Sequence, residues 1–123
     1  MCLDVVDKEP IVKEGIGWKV FEKRNDKICN WYWGASYYKF EIEKWNKDSK
    51  TDRLEDSDGF SYLTGFHLLK TRESARILKY RLLDEYSTYI IKKVKFRNVT
   101  ATGTSEGLKS IVAREILILP DKV

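Results

Sequence analysis

Apolar and polar residues alternate along several stretches of this chain, and the alternation predicts most of its elements. In "GWKVFEKR", Gly17 to Arg24, Trp18 and Val20 fall on one side, and Lys19, Phe21 and Lys23 on the other. That is the period-two mark of a strand. "RNDK", Arg24 to Lys27, carries turn chemistry, because Asn and Asp bond their own backbone. Ile28 to Trp45 predicts two strands, or one long strand broken near Gly34. Its second half sets Tyr38, Phe40 and Ile42 against Lys39, Glu41 and Glu43, again with period two.

The pattern changes at residues 46–59, "NKDSKTDRLEDSDG", which hold one isolated Leu and predict an exposed, mobile loop. Asp48, Asp52, Asp56 and Asp58 do not match the every-second-position ligands of an EF-hand loop, and Lys47, Lys50 and Arg53 would repel a cation. A short strand around Phe66–Leu69 then leads into a helix from Arg72 to about Asp84. Thr71 can cap it, and Glu73 complements the dipole in the first turn. Ala75, Leu78 and Leu82, with Ile77 nearby, form the apolar stripe, while Arg72, Arg76, Lys79 and Arg81 occupy other faces.

In "YIIKKVKFRNV", Ile90, Val94 and Phe96 share one face with Lys92 the odd member, and Ile91, Lys93, Lys95 and Arg97 share the other. "TATGTSEG" reads as turn material. "KSIVAREILILP" is apolar on both faces, as a central strand is, and Pro120 stops it. The fold expected is α+β: an antiparallel sheet of five to seven strands, strongly curved, packed on one main helix. Residues 1–14 are expected to be a flexible arm, and 15–123 a single domain.

Composition narrows the class. The 123 residues are 42% hydrophobic and 34% charged, which describes a globular chain. No apolar run approaches a membrane span, and "MCLDVVDKEP" has no apolar signal core, so a cytoplasmic location is expected. Cys2 and Cys29 are expected to be two free thiols. Of the +4 net charge, Gly65–Leu119 carries eleven lysines and arginines against five acids, while the remainder is slightly acidic. A basic half points to an anionic partner.

Catalytic motifs are missing: no dinucleotide glycine fingerprint, P-loop, HExxH or Cys/His metal spacing occurs. The reading is therefore non-enzymatic, with no cofactor and no metal. His67, the sole histidine, has two readings. It can fix the strand-to-helix corner, or it can join Lys70 and Arg72 in a ligand contact. Lys93, Lys95 and Arg97 form a cationic row suited to phosphates or an acidic protein, or else a solvated sheet face. Trp31 and Trp33 share one side of their strand, and an exposed ring beside cations can stack bases or anchor a protein partner. The candidate binding residues are thus Trp31, Trp33, His67, Lys70, Arg72, Lys93, Lys95 and Arg97.

Three segments carry a resemblance: Trp18-Lys19-Val20-Phe21, Gly65-Phe66-His67 and Ala113-Arg114-Glu115-Ile116. In that order they resemble small uncharacterised proteins of bacteriophages and mobile elements. The resemblance implies a phage-like origin and little chemistry. By analogy with small mobile-element proteins, the expectation is a protein that occupies a host protein or protein–nucleic acid complex inside the host cell, such as an anti-CRISPR-like inhibitor of a defence nuclease. Nucleic acid itself is the other partner considered. Gly65-Phe66-His67, Thr71, Ala75 and Glu115 are also similar in order to ADP-ribosyltransferase-like domains. That similarity implies a degenerate nucleotide-binding domain, since the strand motif that holds nicotinamide dinucleotide in those domains is missing here.

Overall fold

The computed structural model describes residues 3–24, 27–30, 40–82 and 88–120. Its strands are β1 (Val5–Val6), β2 (Gly15–Arg24), β3 (Lys27–Asn30), β4 (Trp45–Lys47), β5 (Arg53–Glu55), β6 (Ser61–Leu63), β7 (Phe66–Leu69), β8 (Thr88–Ser105) and β9 (Leu108–Ile118). One helix, α1 (Arg72–Arg81), is present among the described residues. The fold is α+β, with seven strands in one curled, antiparallel sheet and β5–β6 as a separate hairpin.

The main sheet closes on itself. β8 pairs with β2 along one edge and with β9 along the other. β7 pairs with β9, and Trp18↔Leu69 joins β7 to β2, completing a ring of four strands. Alternation then sends one set of side chains inward. Phe21, Phe66, Leu68, Val94, Phe96, Ile111, Ala113, Ile116 and Ile118 form this interior, with Phe40 added from beyond β3. Phe40 packs edge-on against Phe21 and Phe66, with centroids 5.0 and 5.2 Å apart.

Curling requires the long strands to bend, and both do so at one level. Inward residues step from Phe96 to Val99 in β8 and from Ala113 to Ile116 in β9, three residues rather than two. A register shift follows between Val99 and Ala101, and Asn98 takes a left-handed φ of 56°. A bulge of this kind sharpens local twist. Glu115 pins the corner, accepting from Arg97 Nη2 at 3.1 Å and from the Asn98 amide.

The outward face of β2 carries the helix. Val20, Leu69 and Leu108 pack on Ala75 and Leu78, with Trp18, Leu82, Tyr89 and Ile91 at the margin. Thr71 caps α1 by accepting from the Ser74 amide, and Glu73 sits in the first turn, as the pattern predicts. A third cluster, Leu3, Tyr62, Ala101 and Val112, lies under Val6 and Leu54.

That cluster corrects two expectations. The arm is docked: Leu3 is buried, and Val5 and Val6 pair with Thr104 and Gly103. Gly103 permits this, because a Cβ there would collide with the Val5 carbonyl. Residues 46–59, read as one loop, contribute to β4 and form β5. Here Arg114 binds the carbonyls of Asp48 (2.5 Å), Lys50 (2.6 Å) and Thr64 (2.8 Å). Polar composition concealed this order, which rests on backbone carbonyls captured by a distant arginine.

Two further expectations change. The alternation ending at Glu43 does not make a strand of 40–44. Ile42 forms only an isolated bridge to Ile118, Glu43 has φ 63°, and the Asn46 side chain closes the turn onto Glu41 and Lys44. "TATGTSEG" is mostly strand, with the reversal confined to Glu106 and Gly107. Their φ values of 49° and 84° suit a two-residue turn that matches strand twist.

Candidate functional site

Alternation places Trp18 on the outer face of β2, directly opposite Lys93 of β8. The capped helix runs alongside, and residues 72, 76 and 79 recur at i, i+4 and i+7, one stripe of its surface. Arg72, Arg76 and Lys79 therefore form one wall of a groove, and Lys93 stands on the other side. Trp18, Ile91, Leu119 and Pro120 supply apolar lining, and Tyr80, 75% exposed, stands at the rim. The groove has a volume of about 1180 Å³, and among the described residues no carboxylate lines it.

The indole organises these charges. The Arg72 guanidinium lies 5.6 Å from the Trp18 ring centroid and the Lys93 ammonium 5.8 Å, both in cation–π range. The ring also packs on the helix-side core, so its orientation is set by Val20, Leu69 and Ala75.

The same outer face continues across the sheet. Ile16 lies opposite Lys95, Lys95 opposite Leu117, and Leu117 opposite Trp45. Ile16, Lys95, Arg97 and Trp45 line a shallow depression of about 320 Å³, together with Glu14. Arg97 stacks 3.8 Å from the Trp45 centroid while bridging to Glu115. The Arg97 hydrogen bond, helped by its charge, by Asn98 and by Lys47, holds the Glu115 carboxyl below its usual range against the opposing effect of burial.

The sequence candidates separate on this frame. Arg72 and Lys93 meet in the groove, and Lys95 extends it. Arg97 is partly neutralised by Glu115. Lys70 is exposed but lines a different cavity, beneath residues 7–16. His67 is buried at 6% exposure, lies opposite Val112 of β9 and does not line the groove. Burial and the nearby Lys19 charge hold its imidazole neutral, lowering its pKa to about 3. Trp31 and Trp33 lie outside the described residues.

Trp18, Trp45, Arg76, Lys79 and Tyr80 were not among the candidates. Alternation placed Trp18 on a face with Val20 without saying which face meets the helix. The signal for Arg76 and Lys79 was the basic spacing of 72, 76 and 79, visible in the sequence but without a facing wall. No protein-family model, curated protein or solved structure matches the chain.

Proposed function

We propose that this protein is a non-catalytic binding module that captures an anionic macromolecular surface in the groove between α1 and β8. One observation carries the reading. Four cations and an indole converge on a groove whose described lining residues include no acid. Clustered like charges repel one another, and an anionic partner relieves that cost while steering encounter. The charged and histidine side chains most removed from water, Lys19, Glu22, His67 and Glu115, do not line the groove. Glu115, the candidate carboxylate of a transferase reading, is held by Arg97 and Asn98. Interference with a host enzyme that handles nucleic acid, as the phage-type resemblance implies, would use the same groove by competing for a shared anion.

The test is a salt titration of binding to immobilised polyanions, with the wild type compared with Arg72→Glu/Arg76→Glu/Lys79→Glu. Binding that weakens steeply with salt, and is lost in the triple variant while its circular dichroism is kept, supports the reading. Undiminished binding by a folded triple variant overturns it.

A further inference from the structure

The groove and the depression around Trp45 are parts of one outward sheet face, and we propose that this face binds single-stranded nucleic acid across β2, β8, β9 and β4. The inference rests on the anion-binding reading above and names its ligand. Trp18 and Trp45 sit three strand spacings and two residues apart around the outside of the curled sheet. Between them stand Lys93 and Lys95, with Arg72 beside the first ring and Arg97 over the second.

Ring, cation, cation, ring is the pattern of a nucleotide strand, in which flat bases alternate with phosphates. Rings accept bases of any sequence by stacking, and the lysines track the backbone. An acidic amphipathic helix needs a continuous apolar trough, and the Lys93–Lys95 row interrupts this one. A duplex presents its bases edge-on within grooves, leaving neither indole a ring to stack upon.

Fluorescence anisotropy of a labelled ten-residue oligothymidylate, over a series of sodium chloride concentrations, tests the proposal. With four to five phosphate contacts, the log–log salt slope is expected to be about −3. Lys93→Glu/Lys95→Glu should weaken binding more than tenfold and flatten the slope. Trp45→Ala, whose ring is at the sheet margin, should cost about tenfold, within the range for one stacked base. Trp18→Phe should keep affinity within a few-fold, because a ring remains. An unlabelled duplex of equal length should compete at least tenfold more weakly.

Four results overturn the proposal. Equal competition by duplex removes the stacking argument. A labelled oligoglutamate that binds through the groove, while oligothymidylate does not, assigns the site to an acidic protein and leaves the anion-binding function standing. Binding of neither probe, or binding untouched by reversal of both the helix and strand cations, removes the function together with the inference.

Discussion

The Lys19 ammonium donates to the His67 carbonyl at 3.0 Å, inside the protein, where β2 and β7 share a single backbone pair. A side chain thus supplies a donor where the ladder between these strands is sparse. Lys19 is 1% exposed, and burial lowers its pKa to about 7, only partly opposed by Asp48. An amine can hold this position because the neutral form still donates.

Stability should therefore rise with pH above neutrality. The unfolded chain holds the Lys19 proton up to its ordinary pKa, whereas the folded chain releases it near 7, so the unfolded state binds more protons between those values. The gain is about 4 kcal/mol across the window. Urea denaturation from pH 7 to 10 should show this climb, and Lys19→Met should flatten it. A wild-type profile as flat as that of the variant would contradict the assignment.

His67 adds a second window at lower pH. Its folded pKa lies near 3 and its unfolded value near 6.5, so stability should fall as pH drops from about 6.5 toward 3. His67→Gln should remove that part of the acid sensitivity. Proton NMR should find the wild-type imidazole neutral at pH 5.

Gly65→Ala should destabilise the fold by about 1–3 kcal/mol, as overpacking does. Its Cβ would sit 2.6 Å from the Ala113 carbonyl, backbone that has no room to yield without shifting β9. Thermal denaturation measures the loss, and Gly59→Ala gives the contrast. Gly59 has open space around its Cβ position, although its φ of 84° still disfavours a side chain.

Asp56 ties the docked arm to the β5–β6 hairpin by accepting from the amides of Val6, Asp58 and Phe60. Burial raises its pKa, but those amides and Gly59 outweigh the effect and lower it overall. Asp56→Ala should accelerate hydrogen exchange at Val6, Asp58 and Phe60, leaving the amides of β9 protected. Acidification through the lowered pKa should reproduce the fraying in the wild type.

Local periodicity made the paired strands and the helix cap legible. Trp18 with Val20, Ile90 with Val94 and Phe96, and Thr71 before Arg72 needed only neighbouring residues to be read. What escaped depends on distant partners. Arg114 orders 48–50 through backbone carbonyls, and Asp56 reaches Val6 from fifty positions away. Alternation through Tyr38, Phe40 and Ile42 pointed to a strand, yet Asn46 folds 40–44 into a turn. The groove was half legible: its basic stripes were visible, but the closing of the sheet that sets Trp18 between them was not.

The two-residue reversal at Glu106–Gly107 has a kinetic meaning. β8 and β9 meet through it with almost no intervening chain, so the entropy lost in bringing them together is small. Their partners come from far along the sequence: β2 pairs with residues some seventy positions later, and β1 with residues nearly a hundred later. Long-range pairing of that kind slows folding, and a locally closed hairpin is the natural place for it to begin. Substitutions in the β8–β9 hairpin should slow refolding. Those that loosen the arm at Val5 and Val6 should instead speed unfolding, the outcome expected of a long-range pairing that forms late.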